Sequence, residues 1–247
     1  MPTMVQSIEE LSLNACPSLQ TVLYDGWVLR FANGYTRRAN SVNPLYPSTK
    51  EASEKIGLCE RLYHNKGLKS VFKITPVNQS SELDSILKTS GYRFEGNTSV
   101  QLLNLNEWDG KLDPDITLYD GVTKEWFDAY RTMNGLDPKY HPTLLQLLEL
   151  LVPAKRLAVL HDNGKVIACG LGILQGKFIG LFDIVVDKEA RRQGYGKRLI
   201  ESLLAWGKSE GAETSYLQVV AENEPALQLY AKLGFKEDYR YWYRVKE

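Results

Sequence analysis

Apolar and polar positions in the second half of the chain switch repeatedly between two periods. Phe178–Val186 is an almost unbroken apolar run, the mark of a strand buried on both faces. Leu157–His161 and Val166–Leu174 flank Asp162-Asn163-Gly164-Lys165. Asn-Gly readily takes the left-handed angles of a tight turn, so this segment predicts a β-hairpin. The helical period takes over from about Tyr195 to Ser209, from Val122 to Met133, and from about Pro225 to Leu233. In the second of these, Trp126, Phe127 and Tyr130 share a face. A leucine-rich helix, Leu144–Val152, ends at Pro153. Short strands complete the series at Ile116–Tyr119, Ser215–Val220 and Tyr239–Val245. The predicted order is β-α-α-β-β-β-α-β-α-β, an α+β chain with a mixed, mostly antiparallel sheet flanked by helices.

The first half echoes the second. Thr21–Tyr24, Trp27–Phe31 and Tyr35–Val42 read as three strands joined at Asp25-Gly26 and Asn33-Gly34. Leu83-x-x-x-Leu87-x-x-x-Gly91-Tyr92 parallels Ala226-x-x-x-Tyr230-x-x-x-Gly234-Phe235, each a short helix closed by glycine before an aromatic strand start. Ser70–Thr75 likewise parallels Ser215–Val220. A linker rich in Asn, Asp, Gly and Pro lies near 106–115. The expected domains are therefore 1–110, a degenerate copy, and 111–247. The copies differ after their third strands. Asn43-Pro44-Leu45-Tyr46-Pro47-Ser48 has two prolines without N–H donors, and no arginine or glycine pair.

The corresponding segment of the second copy is Arg191-Arg192-Gln193-Gly194-Tyr195-Gly196-Lys197, between the apolar strand and a helix. Glycines let backbone N–H groups approach an anion, and the helix start adds unpaired N–H groups and the positive end of its dipole. Three cations at a helix start gain nothing structurally, because the dipole prefers acidic residues there. A bound anion explains them. Two glycines before a helix are otherwise common and carry little weight alone. The spacing is neither that of a P-loop nor that of a dinucleotide fingerprint.

R-x-x-G-x-G after a strand ending Val185-Val186-Asp187 resembles the CoA-diphosphate loop of the GNAT superfamily, the acyl-CoA-dependent N-acyltransferases. Asn223-x-x-Ala226-x-x-x-Tyr230-x-x-x-Gly234-Phe235 resembles a second motif of that family. The resemblance covers 116–247 well and 18–105 only as a degenerate copy. It implies acetyl-CoA as cosubstrate, no metal, and direct transfer to a primary amine. It also implies that the backbone of Ile184, Val185 and Val186 pairs with the pantetheine arm where two strands splay. Arg191, Arg192, Gln193, Gly194, Tyr195, Gly196 and Lys197 then hold the diphosphate, and Asn223 and Ala226 meet the arm. Tyr230 is implied as proton donor to the leaving thiolate.

Several of these residues also have ordinary structural readings. Asn223 suits a helix cap, Tyr230 a core position, and Asp183 a solvated or ion-paired strand residue. As the one carboxylate in the apolar strand, Asp183 is also the candidate general base, with Glu222 and His141 behind it. Ordered water is a further route for the proton. Leu144, Leu147, Leu148 and Leu151 suit core. Thr36–Ser41 suits either a charged edge strand or a wall presenting Arg37 or Arg38 to a substrate anion.

Composition narrows the partners. Basic and acidic residues both number 30, so the net charge is zero, and neither half has the basic excess of a nucleic-acid binder. No stretch is apolar enough to span a membrane, and the N-terminus lacks a secretory core. The three cysteines and three histidines are scattered, which argues against disulfides or zinc and for a cytoplasmic protein. The sequence leaves open a monomer or homodimer, a small-molecule or protein acceptor, and a non-catalytic acyl-CoA-binding module.

Overall fold

A computed structural model describes residues 3–77 and 80–247. The chain forms two compact units. One comprises Met1–Ser99, Val220–Glu222 and Tyr239–Glu247; the other comprises Val100–Val219 and Asn223–Asp238. In chain order the elements are α1 (Met4–Ala15), β1 (Gln20–Tyr24), β2 (Trp27–Phe31), β3 (Val42–Pro44), α2 (Ala52–His64), β4 (Ser70–Ile74), α3 (Ser80–Thr89) and β5 (Arg93–Asn104). They continue with β6 (Ile116–Tyr119), α4 (Lys124–Met133), α5 (His141–Glu149), β7 (Ala154–Asp162), β8 (Lys165–Gln175), β9 (Phe178–Val186), α6 (Tyr195–Ser209), β10 (Thr214–Val220), α7 (Glu224–Lys232) and β11 (Lys236–Lys246). Among the described residues no helix is long and apolar enough to cross a membrane.

In the second unit β6, β7, β8 and β9 pair antiparallel in sequence, and β9 pairs parallel with β10. The later part of β5 lies beside β10, and Leu105 donates its N–H to Glu213 O at 2.8 Å. The β7–β8 turn uses Asn163 at φ +48° and Gly164 at φ +76°, as Asn-Gly allows. One sheet face is covered by α6, whose Leu199, Ile200, Leu203 and Leu204 are fully buried on Ala158, Leu160, Ile179 and Leu181. The predicted α6 range matches the structure, because its apolar stripe is regular and its boundaries are glycine-marked.

In the first unit β1, β2 and β3 pair antiparallel, β3 pairs parallel with β4, and the Trp242–Lys246 part of β11 pairs antiparallel with β4. α2 and α3 cover a core containing Trp27, Leu29, Phe31, Phe72, Ile74 and Tyr92. The expected strand Tyr35–Val42 does not form. A 3-10 turn occupies Arg37–Ala39, and pairing resumes only at Val42. The buried Asn40 side chain accepts from Ala32 N at 2.7 Å and Gly34 N at 3.0 Å, and donates to Thr36 O at 2.8 Å. Asparagine thus gives this backbone a non-strand set of partners.

Helix α1 had no clear sequence signal, because charge and polarity occupy its buried face. Its buried residues are Ile8, Glu9, Ser12 and Ala15. Glu9, 2% exposed, takes an ion pair from Lys73, 4% exposed, and a hydrogen bond from the Tyr239 hydroxyl. Arg30 closes the other end of α1, donating to Leu13 O at 3.1 Å and to Cys16 O. Removing one partner of a buried pair strands the other charge, at a cost of about 3–5 kcal/mol. Lys73→Met should therefore lower the melting temperature strongly, and Lys73→Met with Glu9→Leu should recover most of the loss. Thermal unfolding of both variants checks this; an unaffected single variant contradicts it.

Candidate active site

The site begins with a register change. β9 faces β8 as Phe182↔Leu171 and then Val185↔Cys169. Two residues, Asp183 and Ile184, therefore stand against Gly170, which is a β-bulge. Asp183 adopts φ +52°, the left-handed region that non-glycine residues enter at a cost of about 1 kcal/mol or more. A Cβ on Gly170 would lie 2.6 Å from Ile184 Cδ1, so glycine opposite the bulge makes room for that side chain. Parallel pairing of β9 with β10 runs from Phe178↔Thr214 to Leu181↔Leu217 and stops, although the strands continue to Val186 and Val220. The strands part at the bulge. Ile184, Val185 and Val186 lie half-buried along the edge that opens.

Beyond β9 the chain enters the basic loop. Asp187 accepts from Glu189 N at 3.1 Å and anchors its own N–H to Ile167 O at 2.8 Å. Arg192, at φ +63°, and Gly194, at φ +86°, turn the chain into α6. Gly194 is the N-cap and supplies no capping side chain, so the first N–H groups of α6 have no side-chain cap. A Cβ there would meet nothing within 4 Å. Glycine serves the backbone angle, and the space before the helix is open. A Cβ on Gly196 would lie 3.4 Å from Leu229 and 3.5 Å from Val186, ordinary contacts that do not by themselves require glycine. Arg191, Arg192, Gln193 and Lys197 are exposed, and Tyr195 is half-buried. Arg191 donates to Val186 O at 3.3 Å, and Lys197 reaches Glu201 at 3.6 Å. The next cation, Arg198, is held away from the loop by Asp113 and Asp115, with Nη2 2.6 Å from Asp115. Uncapped amides and exposed cations around open space can bind an anion. A cavity of about 410 Å³ adjoins the loop, lined by Lys165, Asp187, Glu189, Gln193 and Tyr195 among others; Asp183 and Tyr230 do not line it.

On α7, Asn223 caps the helix by accepting from Ala226 N at 3.3 Å, and Pro225 sits in the first turn. Ala226 and Tyr230 pack half-buried against the second unit's core. The Tyr230 ring meets Phe235 edge-on at 5.8 Å. Its hydroxyl has no hydrogen-bond partner among the described residues. Burial pushes the phenol up to about 12, so it holds its proton at neutral pH. A phenol that keeps its proton can act as a proton donor.

Asp183 is held from α4. Tyr130 donates its hydroxyl to Asp183 Oδ1 at 3.0 Å, and Asn134 Nδ2 donates to the Tyr130 hydroxyl at 3.2 Å. In the sequence Trp126 and Tyr130 share a helix face, and that spacing is their sole signal. The other base candidates are differently placed. His141 Nδ1 accepts from Arg131 Nη1 at 3.4 Å, so Nε2 carries the proton and donates to Leu136 O at 3.2 Å. Glu222 is exposed and belongs to the first unit. Leu144, Leu147, Leu148 and Leu151 are core, each at most 5% exposed. Arg37 pairs with Glu95 and lies 5.8 Å from the Tyr243 ring centroid, and the Arg38 carbonyl accepts from Arg30 Nη1 at 2.6 Å.

Cys169 is fully buried, and burial together with the Asp183 charge drives its thiol far above the ordinary range; burial takes Cys59 up to about 12. Neither is a thiolate at neutral pH. A disulfide reagent at pH 8 should therefore titrate Cys16 in the native protein and all three cysteines after denaturation. Native modification of Cys169 as fast as of Cys16 would contradict this placement.

The chain matches a family model described as "Probable histone acetyltransferase Rv0428c C-terminal" over residues 3–244. It is 29% identical over 247 residues to the "Uncharacterized N-acetyltransferase YobR" of Bacillus subtilis, covering 98% of each chain. Among solved structures, a GCN5-related N-acetyltransferase from Kribbella flavida superposes with a TM-score of 0.70 at 12% identity, covering 98% of this chain and 95% of that one. A tandem GNAT protein from the clavulanic acid biosynthesis pathway superposes at 0.66 and 12% identity, covering 100% and 90%.

Proposed function

The chain belongs to the family described as probable histone acetyltransferase Rv0428c C-terminal, with the fold of the GCN5-related N-acetyltransferases, and from that premise we propose how this N-acetyltransferase works. It moves an acetyl group from acetyl-CoA directly to the primary amine of a small molecule. The observation that carries this reading is the gap between β9 and β10 lying beside the uncapped start of α6.

The residues present suit a CoA diphosphate. The amides around Gly194, Tyr195 and Gly196 and the side chains of Arg191, Arg192, Gln193 and Lys197 hold it, and the backbone of Ile184, Val185 and Val186 pairs with the pantetheine arm. A strand edge without a partner can accept such an extended segment. Asn223 and Ala226 border the arm. The amine nitrogen attacks the thioester carbonyl, a C–N bond forms and the C–S bond breaks. Asp183 takes the amine proton and Tyr230 gives its proton to the departing thiolate.

The first unit serves as a degenerate copy without its own CoA. Its strands pair antiparallel, antiparallel and parallel from β1 to β4, as β7 to β10 do. The loop before α2 is filled from within. Asp25 Oδ1 accepts from Thr49 N at 3.0 Å and Thr49 Oγ1 at 2.7 Å, and Asp25 Oδ2 accepts from Lys50 N at 2.9 Å. The buried Lys55 ammonium lies 3.1 Å from Oδ2. A carboxylate of the chain stands where an external anion would bind. The free cysteines and zero net charge suit a cytoplasmic enzyme without a nucleic-acid partner, as monomer or homodimer. The family's description favours a second reading, a protein amine as acceptor. Turnover across a panel of small amines, set against a panel of lysine and N-terminal peptides, decides between them.

Gly194→Glu puts bulk, like charge and an unfavourable backbone angle into the anion site, and should abolish acetyl-CoA binding in calorimetry; wild-type affinity would remove the loop from the reading. Tyr230→Phe should lower kcat by a factor on the order of 10² with little change in KM for acetyl-CoA, within the range of acid–base contributions. A wild-type kcat would take Tyr230 out of the chemistry.

A further inference from the structure

We infer that Tyr130, braced by Trp126 and Asn134, is a positioning residue that fixes the Asp183 carboxylate at the opened edge of β9. The inference rests on the reading of Asp183 as proton acceptor and goes beyond it to the group that aims it.

Trp126, Tyr130 and Asn134 stand at i, i+4 and i+8, one stripe along α4 and its C-cap. Trp126 is fully buried, and its indole N–H donates to Gly170 O at 3.0 Å. Gly170 is the residue opposite the bulge, so this bond ties α4 to the kink in the sheet. The Trp126 ring stacks on Tyr130 with centroids 5.2 Å apart and planes 6° from parallel. That stack sets where the phenol oxygen lies. A phenol has one proton to give. With the Asn134 amide donating to the oxygen, the proton is committed to Asp183.

The arrangement does two things. It selects one orientation of a carboxylate whose left-handed backbone places it on an otherwise apolar strand. It also stabilises the ionised form, because a donor to a carboxylate favours its charge. Tyr130 from α4 and Cys169 from β8 are among the titratable groups that face Asp183; the thiol is uncharged. The position of this carboxylate's titration is therefore sensitive to the Tyr130 hydroxyl, whereas a ring that only filled space would leave it unchanged.

The test uses the full chain with carbon-13-labelled aspartate, in wild type, Tyr130→Phe and Asp183→Asn. Asp183→Asn identifies the Asp183 signal. Tyr130→Phe keeps the ring and its stacking and should raise the pH of half-titration of Asp183 by about one unit. With acetyl-CoA and whichever amine or peptide of the panels above turns over fastest, Tyr130→Phe should lower kcat roughly tenfold and move the acidic limb of the kcat/KM profile upward. KM for acetyl-CoA should stay similar. Asp183→Asn should cost a factor on the order of 10² or more and remove that limb, and adding Tyr130→Phe to it should cost little further. If Asp183→Asn is inactive while Tyr130→Phe matches wild type in rate and titration, the positioning role is wrong and the base reading stands. If Asp183→Asn turns over at the wild-type rate, the base reading falls and the inference with it. Asn134→Leu is the second variant should Tyr130→Phe unfold: exposed at the end of α4, it should shift the same titration upward by a smaller amount, and no shift overturns the proposal.

Discussion

One extra residue in β9 governs the second unit. Asp183 enters left-handed backbone space, and the parallel pairing of β9 with β10 ends just before it, at Leu181. Sheet pairing normally satisfies every inner N–H and C=O group, so a strand that parts from its neighbour mid-sheet leaves polar edges to be met by something else. The strands part beside the bulge, Asp183 stands in the bulge, and beyond the basic loop α6 starts without a side-chain cap. Gly170, Ile184, Trp126 and Tyr130 are the local adjustments that make the bulge tolerable: a missing Cβ, a side chain filling its place, and two hydrogen bonds from α4.

Much of this was legible in the chain because the signals were local. Glycine, Asn-Gly turns and regular apolar stripes made the β7–β8 hairpin, β9 and α6 legible, and the basic glycine loop stands out by charge and spacing. What escaped depends on distance or on inversion of the usual burial rule. Tyr130 and Asp183 are far apart in sequence, and nothing in either neighbourhood announces their pairing. Asp183 stood out as the one carboxylate of an apolar strand, but nothing local announced its left-handed backbone or the bulge. In the first unit Glu9 and Lys55 are buried charges, so the helices that carry them lack a clean apolar stripe, whereas the strand of the buried Lys73 was legible as Ser70–Thr75. Asn40 turned an expected strand into a 3-10 turn by side-chain hydrogen bonds that no hydrophobic pattern records.

The two loops that follow comparable strand pairings solve the same electrostatic problem differently. Before α6 the chain offers amides and cations around open space. Before α2 it offers amides to its own Asp25, with a buried lysine as counter-charge. The tight turn at Asp25-Gly26 delivers that carboxylate, and Gly26 lies so close to the Tyr46 and Pro47 carbonyls that no side chain fits there. The two loops thus differ although the strands before them pair alike, β1 to β4 as β7 to β10. The fold is held in common with many acetyltransferases; the acceptor is a property of the residues around the opening and not of the fold.

The central claim is that the parting of β9 from β10 is a binding feature. A crystal structure of the protein with CoA tests it most directly. The account places the pantetheine arm as an added strand along Ile184–Val186, with the diphosphate on the amides before α6. CoA bound elsewhere, or a closed β9–β10 pair with the nucleotide absent from that edge, would contradict it.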